Sequence, residues 1–430
     1  MMIQTEKIVD LSQKILRRGE NFPFHSDYIG NRHTGQWYVM SNIFIGSHVA
    51  THVECPRHHI KDGLDCLHYP LENLIGSCVT LDCTGKEVDD PITLEEVMRY
   101  KDLIHKGDII FLWTGFDKYH RTERWTDYRY IAEDAMEWLV SFEPKAIGVD
   151  AYGIEIPGAD TGEPNHMRCF NRNIAVVEAL TNLGKIANKR TTVFMLVLPM
   201  EGVDACPVRA IALQDEIPLD MNKIVELNQK LLQDKENFGF HSVYNGTNRP
   251  DWYVMSDILM GSHAGTHVEV PRHHLKDGLD CMHFPLERLM GDCITLDCSG
   301  KEVDEPITLE EVMRYKDQIK KGDIIFLWTG FDRFHRTERW RDYRYIAEDA
   351  MEWLVSFEPK AIGVDAFGIE IPGENTGEPN HMRCFNRNIA VVEALTNLGE
   401  IAGKRTSVLM LILPMEGVDA CPVRAIAIQE

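Results

Sequence analysis

The chain contains one sequence twice. A ten-residue segment, TLEEVMRYKD at 93–102, recurs unchanged at 308–317, and the strings YRYIA and EPNHMR recur at the same spacing of 215 residues. This spacing holds from Trp37 and Trp252 to the ends of the two halves at Asp215 and Glu430. A period this long exceeds that of solenoid repeats, so each half is expected to be a complete domain. The sequence therefore predicts two tandem domains, residues 1–215 and 216–430.

Within each half, segments typical of strands alternate with segments typical of helices. The strand-like segments are rich in β-branched and aromatic residues and lie, in the first half, at 78–83, 108–116, 146–156 and 191–199. Helices are predicted from Thr93 towards Ile104, opened by a capping box of Thr93 and Glu96, and also over 132–140 and Asn173–Leu183. This alternation predicts a mixed α/β fold with one core in each half.

Composition and charge exclude several classes of protein. The chain has 430 residues, of which 44% are hydrophobic, enough for a full core. Its formal net charge of −22 repels phosphate backbones and anionic membrane surfaces, so neither a nucleic-acid nor a membrane partner is expected. No apolar run is long enough to span a bilayer, and the first residues, MMIQTEKIVD, lack the pattern of a leader peptide. A cytoplasmic chain is the expectation.

The cysteines predict reduced, buried thiols. There are 11, an odd number, and none forms a C-x-x-C pair. A thiol enzyme using Cys55 is disfavoured because the second half has Val270 at that position.

The strongest chemical signal is a cluster of histidines. SHVATHVECPRHH at 47–59 recurs as SHAGTHVEVPRHH at 262–274. In an extended segment alternate side chains share a face, so His48, His52, Glu54 and His58 are expected to converge. Imidazole nitrogens and a carboxylate presented together favour a first-row metal such as zinc, manganese or iron. A further histidine on that face is suited to general acid–base chemistry, because its pKa lies near neutrality.

A second signal is Glu178, which lies in the otherwise apolar segment Asn173–Leu183. A buried carboxylate requires a cation or hydrogen-bond donors, whereas a solvated glutamate on a helix surface requires neither. His166 lies twelve residues upstream in the Gly/Pro-rich loop GEPNH, and the pair returns as His381 and Glu393. These four residues are additional candidate ligands.

The histidine segment resembles the motif H-x-G-T-H-x-D-x-P-x-H of the metal-dependent cyclase family, which includes kynurenine formamidases and isatin hydrolases. The second half matches it from His263 to His273, and the first half from His48 to His58 with Ala50 in place of the glycine. The resemblance also covers PLENLIG (70–76), GVDAYGIEIPG (148–158) and DACPVRAIA (204–212). Both halves carry glutamate where the family has aspartate. Ala50 is expected to be mildly strained if that position requires a positive φ.

The resemblance implies a swivelling β/β/α-type domain, present in two copies that form an internal pseudo-dimer, with further homo-oligomerisation left open. It implies hydrolysis of a C–N bond in a small cyclic or aryl amide at one or two divalent ions, Zn²⁺ or Mn²⁺, in each half. His58 and His273 are the implied acid–base residues. The implied metal ligands are His48, His52, Glu54, His166 and Glu178 in the first half, and His263, His267, Glu269, His381 and Glu393 in the second.

Three further questions remain open from the sequence. The alternative to an enzyme is a non-catalytic regulatory protein that binds a metal or a small molecule on the same fold. The pairs Trp37–Tyr38 and Trp252–Tyr253, just before the motif, either line an aromatic pocket or belong to the core. N-formylkynurenine, isatin-like lactams, imides and other cyclic amides all remain candidate substrates.

Overall fold

The structure, a computed structural model, describes residues 7–30, 37–88, 90–159, 161–246, 252–303, 305–373 and 377–429. Strands of the first half are β1 Ile8–Asp10, β2 Phe24–Gly30, β3 Val39–Gly46, β4 His52–Glu54, β5 Ile75–Asp82, β6 Ile109–Trp113, β7 Ala146–Val149, β8 Ala175–Glu178, β9 Arg190–Met195, β10 Ala205–Pro207 and β11 Ala210–Leu213. Those of the second half are β12 Ile224–Glu226, β13 Phe240–Gly246, β14 Val254–Gly261, β15 His267–Glu269, β16 Met290–Asp297, β17 Ile324–Trp328, β18 Ala361–Val364, β19 Ala390–Glu393, β20 Arg405–Met410, β21 Ala420–Pro422 and β22 Ala425–Gln429. The helices are α1 Leu94–Met98, α2 Glu133–Val140, α3 Pro164–Phe170, α4 Leu309–Met313, α5 Glu348–Val355 and α6 Pro379–Phe385.

Each half builds a nine-stranded mixed sheet. The strand order in the first half is β1-β11-β9-β5-β6-β7-β8-β4-β10, and the second half repeats it strand for strand. Strands β5 to β8 are parallel. One face of these strands packs on the helices, as Leu81 and Ile110 share an apolar cluster with Val97 of α1 and Met136 of α2. The opposite face is therefore left for contact with the other half.

A smaller sheet joins the two halves. Its order is β13-β14-β3-β2, with two strands from each half, and the central strands β3 and β14 pair antiparallel, with Ile45 opposite Ile258. A single apolar cluster also runs through both halves, from Val53 and Cys206 to their counterparts Val268 and Cys421. The predicted mixed α/β fold, present in two tandem copies arranged as an internal pseudo-dimer, is confirmed.

Most of the predicted elements are present, with two corrections. Strands occupy each predicted strand segment, and α2 lies within 132–140. The capping box of Thr93 and Glu96 is present at α1, but this helix ends at Met98 and does not continue to Ile104. The predicted helix Asn173–Leu183 is wrong, because its apolar run forms the central strand β8. A short run buried on both faces has no periodicity that separates a strand from a helix.

Two expectations about the whole chain have a structural outcome. All 11 cysteines are buried, as predicted, and none is joined in a disulfide; their reduced state stays a prediction. Among the described residues, no helix has the length and apolar character needed to cross a bilayer.

Candidate metal centre

The candidate ligands of the first half come from four short segments. Strand β4 carries His52 and Glu54, and His52 lies directly opposite Glu178 of β8 across the antiparallel pair. His166 is in α3, so the prediction that it lies in a loop is wrong. Sheet pairing and one short helix therefore bring together residues that lie far apart in the sequence.

The prediction of one extended face from His48 to His58 is wrong for its two ends. His48 precedes β4 in a turn, and His58 closes the single 3-10 turn Pro56–His58. The chain reverses at Ala50, which has a φ of 52°, and at Gly265 in the second half, which has a φ of 58°. Position 50 does require a positive φ, so its alanine is strained as expected. All four side chains nevertheless point to one buried centre.

The donor atoms converge around Glu54. Its Oε1 atom lies 3.2 Å from His48 Nε2 and 3.4 Å from His52 Nε2, while its Oε2 atom lies 3.1 Å from His166 Nε2. Glu178 lies 3.6 Å from both His52 Nε2 and His166 Nε2. The two oxygens of Glu54 thus face two different groups of donors.

The second half reproduces these distances. Glu269 Oε1 lies 3.1 Å from His263 Nε2 and 3.4 Å from His267 Nε2, and Glu269 Oε2 lies 3.0 Å from His381 Nε2. Glu393 lies 3.6 Å from both His267 and His381. We call the cluster around Glu54 the first site and the cluster around Glu269 the second site.

Hydrogen bonds at the far side of each ring hold the histidines in place. His52 Nδ1 faces the carbonyl oxygen of Ala50 at 2.9 Å, and His166 Nδ1 faces Glu155 Oε1 at 3.0 Å. Because both partners only accept hydrogen bonds, the proton of each neutral ring is on Nδ1. The Nε2 atoms therefore face the carboxylate oxygens, an arrangement that suits a positive charge between them, carried by a bound cation or by a proton on the ring. Anchoring through the remote nitrogen is typical of metal-binding histidines.

Burial and charge also fit a cation. Several of these atoms are buried and have no well-directed hydrogen bond within the described residues: His48 Nε2, His52 Nε2, Glu54 Oε2 and Glu178 Oε1. Burial and the nearby charge of Glu54 raise the pKa of Glu178 to about 7. Burial acts in the same direction on Glu54, but the charges of His166 and His58 outweigh it and hold the pKa of Glu54 well below its usual range. The nitrogen and oxygen donors suit zinc or manganese.

His58 is held differently from the candidate ligands. Its Nδ1 atom lies 3.0 Å from Asp204 Oδ2 and 2.5 Å from the carbonyl oxygen of Val254, which belongs to the second half. Burial lowers the pKa of His58, but the charges of Glu54 and Asp204 outweigh this effect and raise it. With the Nδ1 proton shared between two acceptors, Nε2 is the nitrogen free to exchange a proton.

Each site is completed by residues of the opposite half. Ser256, in β14, donates a hydrogen bond of 2.6 Å to Asp204 Oδ1, and Ser41, in β3, does the same for Asp419. The ring centroid of Tyr253 lies 4.8 Å from that of His58, and Tyr38 lies 5.0 Å from His273. Trp37 and Trp252 are half-buried and bond across the same boundary, so the tyrosine of each pair faces the opposite site.

A cavity of about 350 Å³ opens beside the first site. Four of the candidate ligands line it, together with the carboxylates of Glu155 and Glu163. The remaining lining is largely aromatic and aliphatic, with Phe22, Tyr128, Tyr152 and Ile154 from the first half and Tyr253 and Met255 from the second. Such a volume accommodates a small molecule.

Sequence reasoning missed several residues of this centre. Asp204, Glu155 and Ser256 have no local motif that marks them as partners of a histidine. Asp204 and Glu155 do lie in the strings DACPVRAIA and GVDAYGIEIPG, which have counterparts in the second half and share the family resemblance, but neither string indicates which of its residues contacts a histidine.

Comparison with known proteins finds a matching family model and several relatives. A family model described as "Putative cyclase" matches residues 9–156 and 211–371. A kynurenine formamidase of Erythrobacter litoralis is 30% identical over 169 residues, which are 39% of this chain and 74% of that protein. One from Bordetella avium is 27% identical over 177 residues, 40% of this chain and 79% of that protein. The solved structure of isatin hydrolase A from Ralstonia solanacearum has 18% identity and a TM-score of 0.45, covering 48% of this chain and 92% of that one.

Proposed function

We propose, since the chain belongs to the cyclase family, that it is a metal-dependent hydrolase that cleaves a C–N bond in a small cyclic or aryl amide. The two hydrolase domains are residues 1–215 and 216–430, each with its own active site. The observation that carries the proposal is the set of buried, unpaired nitrogen and carboxylate oxygen atoms that meet beside a cavity. The kynurenine formamidases among the relatives support an amide as the substrate class.

In the first site, His48, His52 and Glu54 would hold one divalent ion. Glu54, His166 and Glu178 would hold a second. His263, His267, Glu269, His381 and Glu393 have the same roles in the second site. When bound, the ions supply Lewis-acid polarisation of the amide carbonyl and acidification of water.

The residues of the chain supply the proton transfer. His58 Nε2 accepts a proton from the attacking water and donates it to the leaving nitrogen, while Asp204 and the Val254 carbonyl keep the Nδ1 proton in place. Asp204 also stabilises the positive charge that the ring carries between these two steps. His273 and Asp419 act in this way in the second site.

The test is metal analysis of protein purified without chelator, combined with a hydrolysis screen over formanilides, N-formylkynurenine and isatin. We expect at least one ion in each half and turnover that chelation abolishes. The double variant H58A/H273A is expected to keep its metal and to lose turnover roughly 10²–10⁴-fold. Fewer than about one ion per chain would contradict the proposed ligand set. Metal binding without turnover would favour the non-catalytic alternative.

A further inference from the structure

The two sites of the chain differ at one described position of the cavity wall. Of the 17 residues that line the cavity of the first site, two have a different counterpart in the other half. Tyr152 corresponds to Phe367, and Ala159 corresponds to Glu374, which lies outside the described residues. The two sites can therefore be compared within one chain. They have the same candidate metal-binding and acid–base residues, but at this described position the first site has a phenol hydroxyl and the second site has none.

The aromatic surroundings of this position are the same in both halves. Tyr152 stacks on Phe22 with centroids 6.2 Å apart, and Phe367 stacks on Phe238 with centroids 5.7 Å apart. Trp125 meets the Tyr152 ring edge-on at 6.4 Å, as Trp340 meets the Phe367 ring. Since the two rings occupy equivalent places, the sites differ here in the hydroxyl group and not in the packing of the ring.

The Tyr152 hydroxyl is available to a ligand. Tyr152 is partly exposed and lines the cavity of the first site, and among the described residues its side chain makes ring contacts but no hydrogen bond. Phe22, on which its ring stacks, contacts the candidate ligand His48 with ring centroids 5.7 Å apart. Tyr152 and the candidate ligand His48 therefore line the same cavity and both contact one ring, that of Phe22.

The second site has a different wall. Phe367 offers no hydrogen bond, and the guanidinium of the exposed Arg341 lies 5.9 Å from its ring centroid. The first half has Thr126 in place of Arg341. A polar substituent of a substrate therefore meets a hydroxyl in the first site and an apolar ring in the second, where it would lose its hydrogen bond to water without replacement.

We propose that position 152/367 determines substrate specificity, and that the two active sites of the chain prefer different amides. The first site selects aryl amides that carry a hydroxyl or similar hydrogen-bonding substituent, and the second selects aryl amides with an apolar substituent of the same size. This inference rests on the proposed hydrolase function.

The test uses one site at a time in the full-length, metal-loaded chain. H273A leaves only the first site active, and H58A leaves only the second. For each variant, kcat/KM is measured with hydroxyformanilides and with the methylformanilides substituted at the same ring position. These uncharged substrates keep the charge of Arg341 out of the comparison. We expect the hydroxy-to-methyl ratio to be roughly tenfold higher in the first site, the effect of one hydrogen bond.

Exchange of the two residues supplies the matched controls. Y152F in the H273A background should bring the ratio down to that of the second site, and F367Y in the H58A background should bring it up to that of the first. Each new side chain is already accommodated at the equivalent position of the other half, so both variants are expected to fold. Equal ratios in the two sites, or ratios that the exchanges do not change, would overturn the proposal.

A binding measurement separates this proposal from the proposed function. Dissociation constants of hydroxybenzamides and toluamides, measured by calorimetry on the same variants, do not depend on turnover. If no variant hydrolyses a formanilide, the hydrolase assignment fails, and the binding ratios alone decide the role of position 152/367. The same tenfold pattern in binding would support that role, and equal affinities would refute it.

Discussion

Removal of a hydroxyl group in the second half should impair catalysis in the first. Ser256 donates its 2.6 Å hydrogen bond to Asp204, the carboxylate that orients His58, and both residues are fully buried. A hydrogen bond to a charged group contributes about 1.5–3 kcal/mol, and in S256A no water has ready access to replace it. If about half of that energy is lost from the transition state, kcat/KM of the first site falls about 4- to 13-fold.

The assay again examines one site at a time. In the H273A background we expect S256A to reduce kcat/KM of the first site and S41A to leave it within about twofold, because Ser41 serves Asp419 of the second site. In the H58A background the effects should be exchanged. The metal content should stay constant throughout, since neither serine contacts a candidate ligand of the site that it serves. If each serine variant impaired the site of its own half, the crossed arrangement of these hydrogen bonds would be refuted.

Three further predictions concern metal binding and stability. H267A should lose about one ion or more per chain while H273A retains its metal, as measured by elemental mass spectrometry, and equal losses would mean that His273 is itself a ligand. G265A should destabilise the chain by about 2 kcal/mol or more, as measured by denaturant titration, because residue 265 has a positive φ and the new Cβ atom would lie 2.7 Å from Cδ2 of the buried Leu231. The additional substitution L231I should restore part of the lost stability, since the first half has isoleucine at that position. Burial, and to a smaller extent the charge of Arg121, lower the pKa of His120 to about 3 in the folded chain. Below about pH 6.5 the imidazole is therefore protonated in the unfolded chain but not in the folded one, and the free energy of unfolding decreases towards pH 3 by up to about 1.4 kcal/mol per pH unit. H120Q should lose this dependence, and an unchanged difference from the wild type between pH 7.5 and 5.5 would contradict the assignment.

The sequence was sufficient for the parts of the molecule that local patterns encode. The repeat established two domains, and the capping box of Thr93 and Glu96 placed the start of α1. The convergence that the histidine segment predicts is present in the structure, but it arises for a partly different reason. Only residues 52–54 form a strand, and His48 joins them because the chain reverses at the positive φ of Ala50. The spacing of even-numbered residues could not reveal that turn.

Residues that act through the tertiary structure could not be predicted. Glu178 was assigned to a helix, yet it pairs with His52 across two strands separated by more than a hundred residues. Asp204 reaches His58 from strand-flanking sequence of no distinctive composition, and Ser256 and Tyr253 reach the first site from the other half. Such contacts depend on the pairing of β3 with β14, which neither half specifies alone.

The pairing of β3 with β14 has a consequence for synthesis on the ribosome. When the first half has been translated, β3 has an open edge, and β14, which ends at Gly261, still has to be made. At about 5–20 residues per second, the nascent chain carries this edge for several seconds. During that interval the first half of any neighbouring nascent chain presents the same open β3 edge. This edge can stand in for β14, since β3 and β14 are equivalent strands of the two halves. Polysomes that carry this message are therefore exposed to strand exchange between chains, and chaperone occupancy should be greatest between the completion of β11 and the emergence of β14.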